Sequence, residues 1–223
     1  MPGGVGAGGE TPPATRLGFT MVTEQLYNDI AKRYGKVASW AVWAKAGDKP
    51  KSNISDMEIF DLKKNPSILK ILRTDVVMVA LNFSREVEMD EPFLNFHDSN
   101  PHGQDYKIRF AFEGTGFYGS YMTDIIKDFP MLSSKDVLTY LKDKPNEISK
   151  QINAFREELT FIGSCKPIIL AFGRDAFNII SKNMDKSEWS ELIAITHYSH
   201  QISKENYRAD THKKIGIYNE QKT

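Results

Sequence analysis

Four short apolar runs most constrain the fold: residues 76–81 (VVMVAL), 121–126 (YMTDII), 167–172 (PIILAF) and 192–197 (LIAITH). Three read as unbroken apolar runs, the pattern of parallel strands buried on both faces. The second is interrupted by Thr123 and Asp124. Helical patterns separate the later runs. Ser134 caps a segment carrying Val137, Leu138 and Leu141, and Ile148, Ile152, Phe155 and Leu159 line a longer one that stops at Gly163. Residues 174–184 form a third, entered through Gly173, and Ser203 caps a fourth running to about Lys213. Upstream, Thr23 opens a helix with Leu26, Tyr27, Ile30, Ala31 and Tyr34 on one face, stopped by Gly35. The stretch VASWAVWAK that follows suits an edge strand or an extended segment. Strands alternating with helices predict an α/β fold, a three-layer αβα sandwich around a small, mostly parallel four-stranded sheet with right-handed crossovers.

Composition sets the limits. Residues 1–20 hold six of the 15 glycines and three of the 10 prolines. With almost no large apolar side chain they cannot offset the entropy of ordering, so they are expected to be a disordered leader or cloning scar. Residues 21–223 are then one domain, expected as a cytoplasmic monomer. No apolar run approaches the roughly 20 residues that span a bilayer. The single cysteine excludes an internal disulfide framework, a four-thiolate zinc site and a self-ligated iron–sulfur cluster. Lys and Arg total 29 and so do Asp and Glu, which argues against gripping nucleic acid by bulk charge.

In open α/β sheets, sites form beyond the carboxyl ends of the strands, where strand order reverses. Asn82 ends the first run, His197 ends the fourth, and Asp124 lies inside the second, where a charge is costly without a partner. Each also has a structural reading: a turn for Asn82, a hydrogen-bonded core histidine for His197, a cap or ion pair for Asp124. Their convergence on one rim of a sheet marks a candidate site.

Four segments, in order, resemble the uracil-DNA glycosylase superfamily. Ala80-Leu81-Asn82-Phe83-Ser84 is similar to the G-L-N-P-G motif of the mismatch-specific and thymine branches. The segment YMTDIIK resembles the Y-I-T-N-V-V-K strand of the iron–sulfur branch, and LAFGRDA resembles its A-L-G-R-x-A turn. Thr196-His197-Tyr198-Ser199 is similar to the final H-P-S motif, which precedes a DNA-probing loop. The similarity spans about residues 72–214. The departures are the absent cluster cysteines, Phe83 and Tyr198 in place of prolines, and Asp124 in place of the asparagine that reads uracil.

The resemblance implies base excision from DNA. Asn82 would orient a water at the sugar C1′, and His197 would donate to the base O2 as negative charge develops. Phe96 or Phe93, with Phe83 nearby, would stack on the extruded base. A carboxyl at position 124 accepts from a cytosine N4–H and, when burial keeps it protonated, donates to N3. The expected target is therefore a cytosine-type base, modified at C5, rather than uracil. Such an enzyme would serve repair or defence against modified foreign DNA. Ser84, Ser199, His200, Gln201, Lys204 and Arg208 are the expected DNA contacts; residues 198–214 carry four cations against two carboxylates. The loop spacing of His97, Asp98 and His102 gives weak support for a metal, and neither metal nor cofactor is expected. The alternatives are a hydrolase or transferase acting on free nucleosides or nucleotides, and a catalytically weak nucleic-acid-binding module.

Overall fold

The computed structural model describes residues 21–82, 91–100, 102–127 and 134–217, without the side chains of 134 and 135. Phe83 and Ser84 lie outside the described residues, as do residues 1–20. Thr23 accepts from the Leu26 amide and opens helix α1 (Glu24–Tyr34). Strand β1 (Ala38–Trp40) and the long strand β2 (Arg73–Asn82) follow, then helix α2 (Tyr106–Phe112) and strand β3 (Ser120–Ile126). Helices α3 (Ser134–Leu141) and α4 (Pro145–Phe161) lead to strand β4 (Ile168–Phe172). Helix α5 (Arg174–Asn183), strand β5 (Glu191–Ile195) and helix α6 (Lys204–Lys214) complete the described chain.

The sheet has five strands rather than four, in the order β1-β3-β2-β4-β5. The four expected runs pair in parallel, and β1 adds an antiparallel edge through Ala38↔Thr123, Ser39↔Met122 and Trp40↔Tyr121. Three paired residues are too few to stand out as a strand by periodicity. They form one here because the outer edge of β3 offers unpaired backbone groups.

Alternation along the strands builds two cores. Val77 and Val79 with Tyr121, Ile125, Ile169 and Ala171 face α1, α3, α4 and α5. Val76, Met78 and Ala80 with Met122, Leu170 and Phe172 face α2 and α6. Helices thus cover both faces of one mixed sheet. Gly119, which enters β3 at φ 86°, admits no side chain: a Cβ would lie 2.0 Å from the Ile71 carbonyl oxygen. Among the described residues, no helix is long and apolar enough to cross a membrane.

Helix α2 has no counterpart in the sequence pattern because two of its buried residues are cations. Lys107 Nζ donates to His200 O (2.8 Å), and Arg109 Nη1 and Nη2 donate to Ala44 O (2.9 Å) and Pro50 O (2.5 Å). Backbone carbonyls from distant segments replace the water these groups lose.

Candidate functional site

Strand β2 runs beside β3 on one side and β4 on the other, so the chain reverses direction across the sheet at its carboxyl end. A cavity of about 260 Å³ lies there. Asn82 comes from the end of β2, Asn95 and Phe96 from the loop after it, and His197, Tyr198 and Ser199 from the loop after β5. Asp98, His102, Gln104 and Asp105 complete its polar side. Four of the residues anticipated from sequence, Asn82, Phe96, His197 and Ser199, therefore share one cavity.

His197 lies two residues beyond β5. Gly173, at φ 89°, passes 3.6 Å from the His197 Cβ, measured from where its own Cβ would stand. Burial pulls the imidazole pKa down to about 4, so the ring is neutral near pH 7. Its Nδ1 lies 3.2 Å from the Ser199 backbone N–H and 2.8 Å from Ser199 Oγ. A backbone N–H only donates, so Nδ1 is the acceptor and the ring proton sits on Nε2. Among the described residues, Nε2 has no protein hydrogen-bond partner. The Tyr198 ring stacks on the imidazole at 4.4 Å, and Phe172 packs edge-on against Tyr198 at 5.3 Å. The result is a neutral, uncommitted N–H donor backed by aromatic rings.

The two phenylalanines of the PFLNFHD segment go to opposite sides of the sheet. Phe96 lines the cavity and packs near Phe172 and Tyr198, at 6.3 Å from each. Phe93 does not: its ring lies against Tyr27, Trp40 and Phe60 in the core beneath α1. Both have left-handed backbones, φ 69° at Phe93 and 64° at Phe96, and hydrogen bonds hold them there. The Phe93 N–H donates to Gly35 O (2.7 Å), Ser39 Oγ donates to Phe93 O (2.6 Å), and Trp43 Nε1 donates to Phe96 O (3.2 Å).

Asp124, expected against the base, does not line the cavity. It sits on β3 level with Ala80, 2% exposed, and its Oδ2 accepts from Asn95 Nδ2 at 2.8 Å. Asn95, the donor to that carboxyl, does line the cavity. Burial raises the Asp124 pKa to about 7, against the lowering influence of the Asn95 hydrogen bond and of Lys127. Sequence reasoning missed Asn95, because its partners Val37 and Asp124 lie 58 and 29 residues away.

His97 is a core histidine. Its Nε2 lies 2.8 Å from Val42 O and its Nδ1 2.9 Å from Asn95 O, with the ring stacked on Trp43. Among the described residues, no group of three or more His, Cys, Asp or Glu side chains could hold a metal ion.

Of the expected DNA contacts, His200 and Gln201 are exposed in the turn after His197, whose His200 carbonyl is held by Lys107. Lys204 Nζ and the Arg208 guanidinium sit over the Phe110 ring, at 4.2 and 5.3 Å. Beside them a second cavity, of about 500 Å³, is lined by Lys49, Pro50, Lys51, Tyr106, Ser203, Lys204 and Glu205. The 45–56 loop thus adds Lys49 and Lys51 to the cations of α6. Burial, and to a lesser extent the nearby Lys51, lowers the Lys107 pKa. Comparison with protein-family models, curated proteins and solved structures finds no match.

Proposed function

We propose that this chain is a DNA glycosylase of the uracil-DNA glycosylase type. It would hydrolyse the N-glycosidic bond of a flipped-out, modified cytosine-type base and leave an abasic site, in repair or in defence against modified foreign DNA. One observation carries the reading: a neutral histidine with a free Nε2–H shares a cavity with Asn82 at the carboxyl ends of the strands. In the proposed reaction, the bond between C1′ and the base nitrogen breaks, its electron pair leaving with the base. His197 Nε2–H donates to the base O2 as that charge develops, and a preorganised neutral donor suits this role because it spends no energy reorienting in the transition state. A water held by the Asn82 side-chain oxygen adds to C1′, and its proton passes to solvent. Phe96 provides an apolar face for the base.

The groove of Lys49, Lys51 and Lys204 beside the cavity favours DNA over a free nucleoside, since a nucleoside needs no cations along a neighbouring groove. The test is incubation with duplex and single-stranded oligonucleotides containing uracil, a thymine mismatch or a C5-modified cytosine, followed by cleavage at abasic sites. Abasic sites at the modified cytosine, abolished by Asn82→Ala and by His197→Ala, support the proposal. Base release from free nucleosides alone overturns it.

A further inference from the structure

Asn95 lines the candidate cavity and hydrogen-bonds to Asp124, and its hydrogen bonds fix the orientation of its side chain. Nδ2 spends one proton on Val37 O (2.9 Å) and the other on Asp124 Oδ2 (2.8 Å). Oδ1 accepts from the Phe96 backbone N–H (3.1 Å). The Val37 carbonyl cannot receive an amide oxygen and the Phe96 backbone N–H cannot receive an amide NH₂, so the reverse orientation would break both of these contacts whatever the protonation of Asp124. The residue is 7% exposed, so this arrangement is held by packing as well. Both donors are committed, and the only hydrogen-bonding capacity left is the second lone pair of Oδ1.

We propose that Asn95 is the specificity-determining residue of the cavity, an acceptor-only group that selects a base carrying an exocyclic amine, and that Asp124 is the positioning residue that keeps it so. The amine N4–H of a cytosine-type base donates to Oδ1. The O4 of uracil or thymine brings a second lone pair to the same place, and two acceptors facing each other in a buried site leave both unpaired. Asp124 acts through Asn95 rather than on the base. Its Oδ2 accepts from Nδ2 whether the carboxyl is ionised or carries its proton on the other oxygen, so selection does not switch with the charge of this group. The other charged groups acting on Asp124 are Lys127, Glu158 and Asp105.

This assignment rests on the glycosylase reading for its substrate, and two measurements separate the two claims. The first uses the wild-type protein and free bases: competition between cytosine and uracil, each read by changes in the protein's NMR spectrum. Cytosine is expected to bind about tenfold more tightly, the effect of one neutral hydrogen bond; equal binding, or tighter binding of uracil, overturns the assignment. The second compares kcat/KM for modified cytosine and for uracil in the same oligonucleotide. Asn95→Ala and Asp124→Ala should lower that ratio about tenfold, whereas Asp124→Asn, which keeps an acceptor oxygen against Nδ2, should retain it. An unchanged ratio in Asn95→Ala overturns the assignment and leaves the glycosylase reading standing. If no oligonucleotide loses a base, that reading falls, and the free-base ratio still decides the role of Asn95. The free-base measurement needs no variant, so it decides even where a substitution fails to fold.

Discussion

Asp124, buried, and His197, half-buried, have pKa values displaced in opposite directions, and they act on stability in opposite directions. Asp124 titrates near pH 7 in the fold against an ordinary carboxylate value of 3.8. Between those values the native state keeps a proton that the unfolded chain loses, so this group lowers stability as pH rises. His197 titrates near pH 4 in the fold against 6.5. There the unfolded chain binds the extra proton, so this group raises stability as pH rises through the same range. Asp124→Asn removes only the first influence. Relative to wild type, the variant should therefore gain stability from pH 4 to pH 7, by up to about 1.4 kcal/mol per pH unit. Denaturant titrations of both proteins across that range provide the check, and parallel pH profiles would contradict it. At this scale the sequence was partly legible. It pointed to Asn82 and His197 because strand ends place them, but it left Phe93 and Phe96 equivalent. Two left-handed residues in one loop send their rings to opposite sides of the sheet, and no periodicity encodes that.

Among the elements, β3 and α4 are joined by a buried ionic cluster on the sheet face away from the cavity. Glu158 of α4 is fully buried. Its Oε1 accepts from Tyr121 Oη (2.8 Å) and Thr123 Oγ1 (2.9 Å), and its Oε2 pairs with Lys127 Nζ (2.7 Å). Lys127 also donates to the Asp124 carbonyl, so the cluster fixes the end of the strand that carries Asp124. Glu158→Ala leaves a largely buried ammonium and two hydroxyls without their partner. It should destabilise the protein by about 3–5 kcal/mol in chemical denaturation; a loss below 1 kcal/mol would show that the cluster contributes little. The strands β2 to β5 were legible as short, largely apolar runs, and five of the helices from apolar residues at period 3.6 or from a recognisable cap. Helix α2 was not, because Lys107 and Arg109 look like solvent-facing charges until the carbonyls of His200, Ala44 and Pro50 come to meet them.

For the molecule as a whole, equal numbers of cations and anions leave no net charge, yet the cations are not spread evenly. Lys49, Lys51 and Lys204 gather along one groove beside the candidate cavity, where Glu205, the one acidic residue lining it among the described residues, pairs with Lys204. Lys214 is likewise paired, with Asp210 at 2.8 Å. Under the proposed function, DNA affinity should depend only shallowly on salt, with few counterions released. The double variant Lys49→Ala/Lys51→Ala should reduce the slope of log affinity against log salt by about two, at roughly 0.9 per phosphate contact. An unaltered slope would remove this groove from the DNA path. The groove was only half legible in sequence: the α6 lysines stand in one segment, but Lys49 and Lys51 come from a polar loop about 150 residues earlier.

The central claim is that His197 and Asn82 together release a modified cytosine-type base from DNA. Its most direct measurement is the appearance of alkali-labile abasic sites at a single C5-modified cytosine in an otherwise ordinary duplex. Wild type is expected to produce abasic sites there, Asn82→Ala and His197→Ala none, and uracil in the matched oligonucleotide is expected to be released more slowly. Intact DNA after prolonged incubation with excess wild-type protein, whichever base is offered, would contradict it.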